Sequence, residues 1–377
     1  MPAGASTRET ILITGGAGFV GSHLADELLA HGYRVRVLDN LTEQVHGPGA
    51  AFPDYLNSDV ECLLGDVRNR DDVRRALHGV DAVYHLAAAV GVGQSMYHIA
   101  HYTDVNNRGT AVLLEALLEQ PVKRLIVASS MSLYGEGLYR AEDGSLRAPP
   151  ERPIAQLRAG RWELDDGGSV LTPVPTPETK LASPASIYAL SKYDQESMAL
   201  LFGRAYNVPV VALRFFNIYG PRQALSNPYT GVLAIFSACY LNDTPPLIFE
   251  DGNQQRDFVS VYDVAKACRL ALETPAASNQ VFNVGSGNAY TVSGVTALLA
   301  AHLQKHDIEP QITGRYRSGD IRHCFADISR AREVLGYAPQ VSLEDGLAQL
   351  VEWLRGQNVS SRLRAAHSEL VARGLTA

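Results

Sequence analysis

ILITGGAGFVGSHLADELL, residues 11–29, passes from the apolar run Ile11–Ile13 through glycines at 15, 18 and 21 into a stretch with Leu24, Leu28 and Leu29 at helical spacing. A strand, a glycine turn and a helix in that order make a dinucleotide-binding loop. One glycine permits the tight turn, one lets the backbone approach a pyrophosphate, and one lets helix and strand pack closely. The amino end of the helix adds N–H donors and positive dipole for the phosphates. Asp39 closes the next expected strand, Val35–Leu38, at the distance of a carboxylate that grips the adenosine ribose. Its charge repels a 2′-phosphate, so the cofactor expected is NAD rather than NADP.

Outward from this loop, β-branched runs recur between helical stretches, at Val60–Leu64, Ala82–Leu86, Leu125–Val127 and Val210–Leu213. The helical spacing of Val112, Leu113, Ala116 and Leu117 is one of the intervening segments. This alternation predicts an α/β protein, a Rossmann-type doubly wound parallel sheet. The NAD-binding domain is expected over residues 1–216, with an insertion at about 141–179, where prolines and a Gly-Gly interrupt the pattern. Residues 217–377 read as a smaller mixed α/β lobe, interleaved with the first and covering the carboxyl edge of the sheet. To it are assigned a helix around Val232–Leu241 and strands at Leu247–Phe249 and Val281–Val284, with a tail, 359–377, that is helical in period.

Bulk composition narrows the classes. Of 377 residues, 46% are hydrophobic and 19% charged, a balance that excludes disorder of the whole chain. The net charge of −7 comes without any basic run, so nucleic acid is not an expected partner. Cys62, Cys239, Cys268 and Cys324 are scattered, without the spacing of a zinc site or a disulfide framework, and no metal is expected. No stretch reads as a signal peptide or a membrane span, so the expected location is the cytoplasm.

Two further stretches carry reactive groups. SSMSLYG, residues 129–135, puts three hydroxyls at the carboxyl end of an apolar strand, where ligands bind in open α/β sheets. In SIYALSKYDQE, residues 186–196, Tyr188 and Lys192 lie four apart and share one helix face. An ammonium close to a phenol favours the phenolate, a proton acceptor usable near neutral pH.

TGGAGFVG, the HLAA of residues 85–88, Asn106 in DVNNRGT, Ser130, the Tyr188/Lys192 pair and RFFNIYGPRQ at 214–223 together resemble the extended short-chain dehydrogenase/reductase family, whose members modify nucleotide-linked sugars. The resemblance covers nearly the whole chain. It implies that NAD is held by Gly15, Gly18, Phe19, Val20, Gly21, Asp39, Asn40, Asp66, Val67, Leu86, Ala87, Ala88, Asn106, Ser129, Tyr188, Lys192 and Phe215, with Asp66 at the adenine end. Ser130, Tyr188 and Lys192 become the catalytic residues. Ser130, Met131, Ser132, Asn217, Arg256, Arg317 and Asp320 are implied to bind a nucleotide-diphosphate sugar, the arginines offering forked donors to the diphosphate. The family pattern also implies a homodimer built from helices over 106–119 and 188–206. NPYTGVLAIF, LIFEDGNQQRDFV and SGDIRHCFADI are most similar to bacterial dTDP-L-rhamnose 4-epimerases. Members of that group carry a Cys-Pro-x-Cys-Gly stretch in the insertion, where this chain has LDDGGSV.

Within the family, the residues after Ser130 separate the reactions. Elimination of water needs an acid and a base there, and a decarboxylase pattern has glutamate in place of Ser132; Met131 and Ser132 supply neither. The expected activity is therefore a nucleotide-sugar 4-epimerase working through a transient 4-keto sugar, on a dTDP-6-deoxy-L-hexose (rhamnose and talose). A UDP-sugar 4-epimerase and a UDP-glucuronate decarboxylase are the alternatives of the same fold. A non-catalytic dinucleotide-binding regulator is the alternative of another class, which commonly lacks the Tyr or Lys that this chain keeps.

Overall fold

The computed structural model describes residues 8–49, 51–225, 231–317 and 319–357. The helical reading of the tail and the NPYT of NPYTGVLAIF lie outside them.

The strands β1 (Thr10–Thr14), β2 (Arg34–Asp39), β3 (Glu61–Leu64), β4 (Ala82–His85), β5 (Arg124–Ser130), β6 (Val210–Phe215) and β7 (Gln280–Val284) form one parallel sheet in the order β3-β2-β1-β4-β5-β6-β7. β1, β4 and β5 are buried along their whole length, as strands covered on both faces must be. One face is covered by α1 (Phe19–Ala30) and the other by α2 (Arg70–Leu77), α3 (Gly109–Glu119) and α4 (Ile187–Tyr206). Short polar residues start α2 and α4: the Asn69 side chain accepts from Asp71 N and Asp72 N, and Ser186 Oγ from Ala189 N.

β7 is a departure from the sequence reading, which placed 281–284 in the smaller lobe. It pairs in parallel with β6, Gln280 opposite Val211 through Val284 opposite Phe215. Asn283 interrupts the apolar run and yet is fully buried, because Tyr134 Oη donates to its Oδ1 and its Nδ2 donates to the carbonyls of Thr176 and Asp327. A buried amide with partners on both atoms does not mark a surface strand.

Beyond β6 the chain adds α5 (Val232–Leu241), α6 (Val261–Glu273), α7 (Val292–His302) and α8 (Leu343–Leu354). α5, α7 and α8 enclose a separate apolar cluster containing Leu233, Phe236, Leu299 and Leu347. α6 returns to pack on α1. Its carboxyl end is closed by Arg124 of β5, whose Nη1 donates to the carbonyls of Ala271, Leu272 and Thr274.

The insertion is more ordered than its prolines suggest. Leu138–Arg140 pairs with both Leu146–Arg147 and Thr172–Val174, around Tyr139, Ala141, Leu164 and Leu171. Buried Arg152 and half-exposed Glu163 tie it to Glu250, Asp251 and the fully buried Arg322 of the later chain.

Candidate active site

The carboxyl ends of β1, β2, β4, β5 and β6 open on one cavity of about 500 Å³. All the residues expected to hold NAD line it except Asn106. The loop after β1 is shaped by its glycines. Gly15 has φ +72°, and a Cβ there would lie 2.8 Å from Ala87 N, so backbone meets backbone across the sheet end. At Gly21 a Cβ would lie 2.5 Å from the Gly15 carbonyl oxygen, which is why helix and turn pack this closely. No side chain caps the amino end of α1, and a Cβ on Gly18 would meet only the Gly15 oxygen. The helix end is thus open to the cavity and suited to a pyrophosphate. Asp39 ends β2 with its carboxylate fixed by Ala17 N at 3.0 Å and Leu41 N at 2.9 Å. Asp66 is held by Arg68, Nε to Oδ1 at 2.9 Å and Nη2 to Oδ2 at 2.7 Å, and by Asn40 Nδ2 at 3.0 Å. The Arg68 hydrogen bonds keep its carboxyl well below the usual range.

At the other end of the cavity stand Ser130, Tyr188 and Lys192. Tyr188 is half-buried at the start of α4; its N–H donates to Ser95 Oγ at 3.0 Å and its ring meets Tyr102 edge-on. Burial raises the phenol, and the Ser130 side chain, hydrogen-bonded to it, pulls in the opposite direction. Lys192 is 3% exposed in total, and burial lowers its ammonium to about 7 against the opposing pull of Glu196. Its Nζ donates to Gln195 Oε1 at 2.8 Å. The helix spacing brings Tyr188 and Lys192 to one cavity, as expected. Burial opposes charge on both groups, while the Ser130 hydrogen bond favours the phenolate.

The three hydroxyls of SSMS divide their work. Ser129 lines the cavity, but its Oγ turns inward to donate to Glu196 Oε2 at 2.6 Å, beside the Arg214 guanidinium that grips the same carboxylate. Ser130 faces the cavity. Ser132 Oγ donates to Ser130 Oγ at 2.9 Å and does not reach the cavity itself. Met131 lies in the core beside Leu133 and Tyr134.

Other implied residues fall elsewhere. Asn106 is fully buried below the cavity; its side chain clamps Ala89 N and O and donates to Ser191 Oγ at 2.8 Å. It shapes the wall through Ala89. Asn217 lines the cavity, and among the described residues its buried Oδ1 has no hydrogen-bond partner. Arg256 does not line it; its guanidinium donates to the carbonyls of Gln255, Ile321 and Arg322. Arg317 pairs with Asp320 at 2.9 Å and stacks on Phe249, also away from the cavity. Gln195, Thr110 and His85 support Lys192 from behind; they stand in SIYALSKYDQE, DVNNRGT and HLAA, where the sequence reading gave them no role of their own.

Among the described residues no group of His, Cys, Asp or Glu is arranged to hold a metal ion, and no helix is long and apolar enough to cross a membrane.

Residues 11–156 and 168–285 match the model of the NAD dependent epimerase/dehydratase family. The chain is 36% identical to a dTDP-L-rhamnose 4-epimerase from Burkholderia thailandensis, over 91% of this chain and 94% of that one. It is similar to the crystal structure of a UDP-glucose 4-epimerase from Thermotoga maritima with UDP-glucose: TM-score 0.75, 34% identity, 92% of this chain and 98% of that one covered. A Thermus thermophilus UDP-glucose 4-epimerase in complex with NAD superposes with a TM-score of 0.73 at 29% identity, covering 93% of this chain and 100% of that one.

Proposed function

The chain belongs to the NAD-dependent epimerase/dehydratase family, and from that premise we propose that it is a nucleotide-sugar 4-epimerase whose preferred substrate is a dTDP-linked 6-deoxy-L-hexose, interconverting rhamnose and talose. One observation carries the choice of reaction. Ser130, Tyr188 and Lys192 line the cavity, while Met131, packed in the core, and Ser132, bonded to Ser130, do not line it and at the positions where a dehydratase or decarboxylase needs acid–base groups supply none.

Bound NAD would supply the hydride acceptor and donor and a positive charge that favours the phenolate. Gly15, Gly18, Gly21, Asp39 and Asp66 are the residues to hold it. Tyr188 takes the proton from the sugar 4-hydroxyl and later returns it, while Ser130 hydrogen-bonds the same oxygen. Lys192, below about pH 7 an ammonium, favours the phenolate. The 4-keto sugar turns over in the cavity and is reduced on its other face, a step that needs no further acid or base. The dTDP-6-deoxysugar preference rests on the likeness of the second lobe's motifs and on the 36% identity to a dTDP-L-rhamnose 4-epimerase.

The test is isotopic. Substrate deuterated at C4 should yield product inverted at C4 that keeps its deuterium there, with no cofactor consumed. Carbon dioxide released from UDP-glucuronate, or a 4-keto product that accumulates, would overturn the reading. A panel of dTDP- and UDP-sugars decides the base and the sugar.

We also propose a homodimer through α3 and α4. Leu118 on α3 and Leu190, Tyr193 and Leu201 on α4 are exposed apolar side chains that a four-helix contact would bury.

A further inference from the structure

Lys192 is the deepest charged group of the cavity, and among the described residues its Nζ has one hydrogen-bond acceptor, Gln195 Oε1. An ammonium can only donate, so while Lys192 is charged the Gln195 amide is fixed with its oxygen toward it and its nitrogen away. Gln195 Nε2 donates to Thr110 Oγ1 at 2.8 Å, and Thr110 in turn donates to the Asn106 carbonyl at 2.6 Å. With its proton committed, Thr110 Oγ1 accepts from His85 Nε2 at 3.0 Å, and His85 Nδ1 then accepts from Thr14 Oγ1 at 2.9 Å. Thr14 Oγ1 also receives Ala87 N–H at 3.3 Å. Gln195 Nε2 also stands 3.4 Å from His85 Nε2, and its bond to Thr110 is the shorter of the two. His85, Thr14, Thr110 and Gln195 are at most 1% exposed.

We propose that Gln195 is the positioning residue for Lys192, the last link of a chain of hydrogen bonds that runs from Thr14 on β1 through His85 on β4 and Thr110 on α3 to the ammonium in the cavity. The proposal rests on the reading that this cavity is the site of turnover. The chain joins the ends of two sheet strands to α4, so the lysine is placed by the sheet rather than by its own flexible stem. It is a scaffold and not a proton path: His85 is held neutral, burial and the charge of Lys192 lowering it to about 3. The charge that bears on the ammonium is Glu196 on its own helix, paired with Arg214 on β6; Tyr188 shares its helix face, neutral His85 stands behind Gln195, and Asp39, His46, Asp66, Arg68 and His101 line the same cavity.

The measurement is NAD affinity as a function of pH, on protein stripped of cofactor. The wild-type curve should inflect near pH 7, and Lys192→Met should abolish that inflection, which separates it from His46 and His101. Gln195→Leu removes the acceptor and should move the inflection down by roughly one pH unit. Gln195→Glu supplies a carboxylate and should move it up. Turnover of Gln195→Leu should fall about 10-fold or more, and Gln195→Glu should recover part of it. An inflection that stays put in both variants overturns the proposal, even if turnover falls, since a merely structural role would not move it. If Gln195→Leu does not fold, the upward shift in Gln195→Glu decides alone. A wild-type protein that binds NAD but converts no nucleotide sugar would defeat the epimerase reading and leave the inflection readable.

Discussion

Ser132 Oγ donates to Ser130 Oγ across 2.9 Å, so the third hydroxyl of the strand-end turn serves the second. Ser130→Ala removes a donor aimed at the reacting oxygen and should cost on the order of 100-fold in kcat. Ser132→Ala removes one neutral hydrogen bond behind it and should cost only about 2- to 10-fold. Steady-state rates of the two variants check the order. Equal losses would place Ser132 in contact with substrate.

Tyr188→Phe keeps the ring that packs against Tyr102 and removes the proton acceptor. Turnover should fall by at least about 100-fold, with NAD still bound after purification. Near-normal turnover would sink the assignment of Tyr188.

Asp39 is preset by two backbone N–H groups at the mouth of the adenosine end. Asp39→Ser removes the charge that repels a 2′-phosphate, and the ratio of NADP to NAD dissociation constants should narrow by about 10-fold or more. Calorimetric titration with both cofactors measures it, and an unchanged ratio would contradict the role.

Much of this was readable in the chain itself. Gly15, Gly18 and Gly21 announce a strand, a turn and a helix because their missing side chains are needed at those three places. Tyr188 and Lys192 announce a shared face by spacing alone. What local pattern cannot carry are partners far apart in sequence. Asn283 belongs to the main sheet because Tyr134, Thr176 and Asp327 complete its amide, and His85 to Lys192 because Thr110 and Gln195 lie between them. Arg256 was read by resemblance as a holder of the diphosphate or nucleoside ribose, and what that reading could not foresee is that its Nη1 and Nη2 already donate to the carbonyls of Gln255, Ile321 and Arg322.

Burial of Lys192 also couples cofactor chemistry to stability. Its folded value, about 7, lies below the ordinary lysine value of 10.5. Between those two values the unfolded chain binds a proton that the folded chain has released. Stability from this group therefore rises with pH across that window and is lost as pH falls through about 7. Lys192→Met should flatten this slope in the cofactor-free protein while abolishing turnover. Denaturant titrations at a series of pH values read it, and an unchanged slope would show that Lys192 titrates as an ordinary lysine.

Arg152 closes the insertion onto the second lobe: it pairs with Glu250 at 2.8 Å, approaches Glu136 at 3.4 Å, and donates to the Asp320 carbonyl at 3.1 Å. Arg322 remains on Glu250 at 2.9 Å, so Arg152→Met weakens a buried network without emptying it. The loss should still approach about 3 kcal/mol, because a buried carboxylate is left short of a partner. Arg152→Lys should not restore it, since a single ammonium cannot span Glu250, Glu136 and the Asp320 carbonyl as the planar fork does. Arg317 and Asp320 lie away from the cavity, so the variant's NAD content and its KM for the nucleotide sugar should stay near the wild-type values while its unfolding midpoint falls. A loss of NAD would mean that the sheet had loosened as well.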